Sequence, residues 1–145
     1  MLKFNMDLVT MPVREVLAGF PQVAGAFIFG SILGECRPDS DIDLGLILEA
    51  GISTDSPAGE GLEAGISLRL PPIDGHPFDL VLINPDKPIF AFKAISQGKM
   101  IYVRDHNRVT DVIELVSRRY AELYPRYRRA LEEIFVEVVS GGHRP

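Results

Sequence analysis

The sequence predicts an α/β (α+β) fold in which helices pack on a small mixed sheet. Short apolar runs of strand length alternate with amphipathic stretches of helical spacing, and Pro, Gly and Asp separate them. A length of 145 residues suits a single domain with one hydrophobic core. We assign the core to about residues 11–104 and a C-terminal helical segment to about residues 105–141.

The first third of the chain predicts a helix followed by two strands. Residues 11–20 repeat apolar side chains at helical spacing, and Pro12 suits a first helical turn. Residues 24–30 and 41–49 are apolar runs of strand length. The turn formers between these runs predict that the two strands are neighbours.

Residues 50–77 carry conflicting signals. Leu62, Ile66 and Leu70 fit a helical stripe, whereas Ile66, Leu68 and Leu70 fit a strand equally well. The many Gly, Ser and Pro residues in this stretch argue for a loop. We favour a poorly formed helix.

The second half predicts two more strands and two helical regions. Residues 78–84 and 99–104 read as strands, and residues 88–97 read as the helix between them. An amphipathic helical pattern then continues to residue 141. Pro125 is expected to kink this helix or divide it in two.

Composition narrows the class of protein. The formal net charge is −5, and residues 1–103 hold 7 Lys or Arg against 13 Asp or Glu. This acidic balance argues against free-standing nucleic-acid binding. No apolar run is long enough for a membrane span, and the single cysteine, Cys36, allows no internal disulfide. We expect a cytoplasmic protein.

Two aspartates stand out as a candidate site. Asp41 and Asp43 open an apolar run, nine residues after Gly30 and Ser31 close the preceding one. Side chains two apart in a strand share a face, so the two carboxylates lie side by side and repel unless a cation binds between them. Oxygen ligands of this kind suit Mg²⁺, and a Gly-Ser corner lets phosphates approach the backbone. The pattern indicates a metal–nucleotide site.

This spacing carries a family resemblance. Gly30-Ser31, nine residues and then Asp41-x-Asp43 resembles the signature of the polymerase-β-type nucleotidyltransferase superfamily. The short chain resembles its minimal nucleotidyltransferase (MNT-type antitoxin) branch, whose members are often partners of HEPN-type ribonuclease toxins. The loop before Asp41 is one residue shorter than in many members of that branch.

The resemblance implies roles for five residues. Asp41, Asp43 and Asp79 would be the catalytic carboxylates and would bind one or two Mg²⁺ ions, with Asp79 on a strand beside the first pair. Gly30 and Ser31 would bind the phosphates of a nucleoside triphosphate, with ATP as the expected substrate. Such a site performs two-metal nucleotidyl transfer.

Each feature also has a plainer structural interpretation. An Asp-x-Asp is often a turn or a cap, and Ser31 is a suitable helix N-cap. We expect solvated histidines and an inert Cys36. The arginines and tyrosines of residues 118–129 fit either an interface or a solvated helix face.

The leading functional hypothesis is an antitoxin enzyme. It transfers AMP from ATP to a hydroxyl of a HEPN-type toxin, since the chain has no second domain to form a substrate pocket. One alternative is an aminoglycoside-like small-molecule nucleotidyltransferase, for which a homo-oligomer would complete the pocket. Another is a non-catalytic module that masks a toxin surface.

Overall fold

The computed structural model describes residues 5–30 and 40–141, with side chains described up to residue 136. This part of the chain forms four helices and four strands. In chain order they are α1 (Met6–Leu17), β1 (Val23–Phe29), β2 (Ile42–Leu48), α2 (Pro57–Ser67), β3 (Phe78–Leu82), α3 (Pro88–Gln97), β4 (Lys99–Val103) and α4 (His106–Gly141). The predicted mixed α/β class is confirmed.

The four strands form one mixed sheet in the order β3-β2-β1-β4. Strand β1 pairs antiparallel with both β2 and β4. The prediction that β1 and β2 are neighbours is confirmed. Strand β3 pairs with β2 in parallel. Because β3 stands at the end of the sheet, only one of its two edges pairs with another described strand.

Both faces of the sheet are covered by helices. Side chains from alternate strand positions pack with α1 and α2 on one face, around residues such as Ile28, Leu44 and Ile66. The intervening positions pack with α3 and α4 on the other face, around Phe27 and Val112. Burial on both faces explains why β1 and β2 read as nearly continuous apolar runs rather than as alternating ones.

Helix α1 begins earlier than residues 11–20 predicted. The side chain of Asn5 accepts a hydrogen bond from the backbone N–H of Asp7 at 3.0 Å, so it caps a helix that starts at Met6. Pro12 therefore lies inside the helix and not in its first turn. Proline removes the hydrogen bond to the carbonyl four residues earlier, and this is tolerated because Leu8 is exposed to water.

A helix is present within residues 50–77, as predicted, but the expectation that it is poorly formed is wrong, because α2 is a regular helix of 11 residues. The hydroxyl of Ser56 accepts a hydrogen bond from Gly59 N–H at 3.1 Å, and Pro57 occupies the first helical position. Leu62 and Ile66 pack into the core on one face. Capping and core packing outweigh the weak helix propensity of the three glycines in this helix.

Helix α4 continues through Pro125 for 36 residues, so the predicted division is wrong. Its first turns contribute Val109, Val112 and Val116 to the core, and every described side chain after residue 116 is partly or fully exposed. Water can therefore bind the carbonyl that Pro125 leaves unpaired. The sequence did not decide whether the tyrosines of α4 lie at an interface or on a solvated face. The ring of Tyr120 stacks on that of Phe92 in α3, with 3.9 Å between the two ring centroids.

Candidate active site

The site is built where two parallel strands begin. In the ladder between β2 and β3, Asp43 is the register partner of Asp79. Residues paired in register point to the same face, so these two carboxylates are neighbours across adjacent strands. Asp41 precedes Asp43 by two positions and lies immediately before β2. The sequence predicted that the strand of Asp79 runs beside that of Asp41 and Asp43, and this pairing is present.

The carboxylates lie on the same face of the sheet as α3 and α4, at a margin of that face that these helices leave open. Asp41 and Asp79 are exposed and Asp43 is half-buried. Phe29 pairs with Asp43 across the β1–β2 ladder, and its ring meets Phe90 of α3 edge to face at 6.2 Å between centroids. The site therefore has a polar, open side and an apolar wall.

Gly30 follows β1 and faces the Asp43 carboxylate directly. Its φ of +85° lies in the left-handed region that disfavours residues with a side chain. A Cβ atom at this position would also collide with the carboxylate of Asp43. The glycine is therefore required twice, once for the turn and once for the close approach of backbone and carboxylate.

Neighbouring negative charges perturb Asp43. Partial burial raises the pKa of its carboxyl above the usual value, and repulsion from Asp79 and then Asp41 raises the pKa further. A divalent cation bound to these oxygens would relieve that repulsion, so the donor set fits Mg²⁺. Within residues 5–30 and 40–136, however, no three Asp, Glu, His or Cys side chains are already gathered as a metal cluster. Cation binding would have to draw the three carboxylates together.

This pKa shift predicts a pH-dependent stability of the metal-free protein. A carboxyl whose pKa is higher in the folded state loses its stabilising contribution as the pH rises from about 4 through the folded-state pKa. The free energy of unfolding, taken relative to that of Asp43→Asn, should therefore fall as the pH rises above about 4. Denaturant titrations at several pH values measure it. A difference that stays flat with pH, or one that Mg²⁺ leaves unchanged, would contradict the electrostatic account.

Four of the five predicted site residues can be placed. Gly30, Asp43 and Asp79 lie together, and Asp41 is close enough to Asp43 to influence its pKa. Ser31 lies outside the described residues, so its assigned role in phosphate binding stays a prediction.

The expectation of a solvated histidine is wrong for His76. The side chain is 7% exposed, and its ring Nδ1 lies 2.6 Å from the backbone oxygen of Ser40. A carbonyl only accepts, so Nδ1–H donates this bond. A tight turn through Asp74 and Gly75 brings His76 back to pair with Ile73. No local sequence signal shows that the ring reaches a residue 36 positions away.

His76 therefore acts as a positioning residue for the segment that leads into Asp41. Replacing His76 with alanine leaves the Ser40 carbonyl without this donor and should lower stability by about 1–3 kcal/mol. The catalytic rate should fall more than the substrate affinity does, because Asp41 loses its fixed position. Unfolding and single-turnover assays measure both effects. His106→Ala, at an exposed position, is the control; equal behaviour of the two variants would refute the role.

Sequence comparison decides the family. A model of the polymerase beta nucleotidyltransferase family matches residues 12–107, which is well over half of the chain. The chain belongs to the polymerase beta nucleotidyltransferase family. The matched range contains Gly30, Ser31 and the three aspartates, and the predicted superfamily is confirmed. No curated protein sequence matches the chain.

Solved structures share the nucleotidyltransferase fold of this chain. A crystal structure of a toxin–antitoxin with AMP-PNP is similar at a TM-score of 0.63 and 18% identity, covering 91% of this chain and 99% of that one. The structure of a tri-AMPylated Shewanella oneidensis HEPN toxin in complex with MNT antitoxin is similar at a TM-score of 0.63 and 17% identity, and the match covers 90% of this chain and 99% of that one. A crystal structure of the toxin–antitoxin MntA-HepT is similar at a TM-score of 0.58 and 18% identity, and the match covers 92% of this chain and 99% of that one. At these identities the likeness shows the fold.

None of the helices in the described part of this nucleotidyltransferase is both long enough and apolar enough to cross a bilayer.

Proposed function

We propose that this nucleotidyltransferase transfers AMP from ATP to a hydroxyl group of a HEPN-type partner protein in the cytoplasm, and that it acts as an antitoxin. The in-register pair of Asp43 and Asp79, beside the glycine corner at Gly30, carries the proposal. The structures similar to this chain contain a HEPN toxin, an AMPylated form of it, and AMP-PNP. Those ligands and partners support the choice of donor and acceptor for this chain.

Mg²⁺ would be held by Asp41, Asp43 and Asp79, and when bound it neutralises charge on the phosphates and lowers the pKa of a nucleophile. The carboxylates supply only oxygen ligands, as this ion requires. Asp43 lies between the other two and gains most from the added positive charge, because both neighbours repel it.

The chain's own residues account for the rest of the reaction. The acceptor oxygen forms a bond to the α-phosphorus of ATP, the bond between the α- and β-phosphates breaks, and diphosphate leaves. Asp79 is exposed at the outer strand and accepts the proton of the acceptor hydroxyl. Gly30 admits the phosphates close to the backbone, and Ser31 is predicted to bind the terminal phosphates through its N–H and hydroxyl groups.

Protection of cells tests the antitoxin function against simple masking. A HEPN-type toxin is expressed with the wild-type chain or with the double variant Asp41→Asn, Asp43→Asn. We expect the double variant to form the complex, measured by co-purification, without restoring growth. Restored growth with the double variant would show that masking suffices and that transfer is not the protective step. The variant Asp111→Asn, at an exposed position on α4, is the matched control.

A further inference from the structure

One edge of strand β3 pairs with no other strand among the residues that the structure describes. The C=O of Pro77 accepts a hydrogen bond from Ile42 N–H at 2.8 Å, and Ile83 N–H donates to the C=O of Leu46 at 2.9 Å. Backbone groups of a strand point alternately to its two sides. The odd-numbered positions of β3 therefore bond to β2, and the even-numbered positions direct their N–H and C=O groups away from the sheet.

The outward groups belong to Leu80 and Leu82, and no described strand pairs with them. They border a cavity of about 440 Å³ between α2 and α3. The residues that line it include Leu80, Leu82, Asp55, Glu63, Lys87 and Phe90. An unpaired edge that opens into a cavity is the geometry used to bind an extended peptide by strand addition.

The same edge leads directly to the candidate active site. Asp79 precedes Leu80 in β3, and an added strand would lie about 4.8 Å from it. A side chain of that added strand opposite Asp79, on the same face of the sheet, would be its immediate neighbour. A hydroxyl there would therefore lie beside the carboxylate that the proposed reaction needs as proton acceptor.

Charge restricts what the edge can bind. Asp55 and Glu63 line the cavity against a single cation, Lys87, and the carboxylate site continues this negative surface beyond Leu80. A basic segment is favoured, and an acidic one is repelled.

We propose that the outward edge of β3, which no described strand pairs with, binds the acceptor protein as an extended, basic segment, which adds a fifth strand and places a hydroxyl-bearing residue beside Asp79. This inference rests on the proposed nucleotidyl transfer and specifies how its acceptor is recognised. In the reaction the acceptor oxygen bonds to the α-phosphorus of ATP, its proton passes to Asp79, and diphosphate leaves. Backbone pairing selects an extended shape, and the position opposite Asp79 selects the residue that is modified.

Proline substitution at an outward position tests the inference. Proline at residue 82 removes an outward N–H and blocks strand addition, while the bonds to β2 remain, so the edge strand should tolerate it. With labelled ATP, Mg²⁺ and a purified HEPN-type toxin as acceptor, Leu82→Pro should lower transfer at least about tenfold. Leu82→Ala, which keeps the N–H, should stay within about threefold of wild type. Calorimetry should show unchanged ATP affinity for both variants, and a loss of ATP affinity in Leu82→Pro would assign the cavity to the nucleotide and overturn the inference.

Amide hydrogen exchange gives a readout that does not require transfer. In the isotope-labelled protein, the amides of Leu80 and Leu82 should exchange quickly when free and slow at least about tenfold when the partner binds, while that of Val81 is protected throughout. Unchanged exchange at Leu80 and Leu82 in the complex would overturn the inference. If the wild-type protein transfers nothing but the partner still protects these amides, the proposed function fails and the docking edge stands.

The charge requirement has its own matched pair. Glu63→Lys should weaken transfer at least about threefold at low salt, whereas Glu15→Lys, the same charge change at an exposed position on α1, should not. Equal effects of the two substitutions would contradict a basic segment at this edge.

Discussion

Replacing Asp43 with asparagine should abolish nucleotidyl transfer and slightly stabilise the metal-free protein. Asp43 lies between two other carboxylates, so removing its charge removes the ligand at the centre of the site. Transfer should fall roughly a thousandfold, the effect of losing several kcal/mol of charge stabilisation. Stability without Mg²⁺ should rise by on the order of 0.5 kcal/mol, a small gain because water screens this half-buried group.

Opposite changes in activity and stability distinguish this account from a purely structural role. If Asp43 were a cap or a turn former, asparagine would be tolerated in activity and neutral in stability, because both residues suit turns. Single-turnover transfer and denaturant titration in the presence of a chelator measure the two effects. Loss of both activity and stability in Asp43→Asn would show that the carboxylate supports the fold rather than the chemistry.

Replacing Gly30 with alanine should damage the site more than any other single methyl group. The added Cβ meets the carboxylate of Asp43 in a backbone conformation that already disfavours it. We expect about 2–4 kcal/mol less stability from strain and collision together. Transfer should fall at least about a hundredfold, because displacement of Asp43 by even 1 Å misplaces the phosphates.

Gly51 provides the matched control for this prediction. Its φ of +89° is nearly that of Gly30, yet a Cβ there would have no atom within 4 Å. Gly51→Ala should therefore show the backbone strain alone, about 1 kcal/mol, with transfer unchanged. If the two alanine variants lose the same stability and the same transfer activity, the close contact between Gly30 and Asp43 is not important for function.

The parts of the fold that local patterns specify were predictable. Apolar runs and turn residues placed all four strands and α3 to within one or two residues, and the spacing from Gly30 to Asp43 indicated the site. The motif can be recognised in the sequence because Asp43 interrupts a buried strand, where a carboxylate without a ligand is unfavourable.

The remaining features depend on contacts between distant parts of the chain. Helix α2 is stabilised by a cap at Ser56 and by core packing, and these two effects outweigh its glycines. Amino-acid composition alone does not show either effect. The bond from His76 to Ser40 and the register of Asp79 with Asp43 join residues 36 positions apart. The open edge of β3 follows from the strand order, which no single segment encodes.

Intact-mass analysis of the partner tests the central claim most directly. A purified HEPN-type toxin that binds this chain is incubated with ATP, Mg²⁺ and either the wild-type chain or Asp43→Asn. The account predicts that the partner gains mass in whole AMP units with the wild-type chain only, on a hydroxyl-bearing residue that peptide sequencing then locates. A partner that binds the wild-type chain and loses its toxicity while its mass stays unchanged would contradict the account.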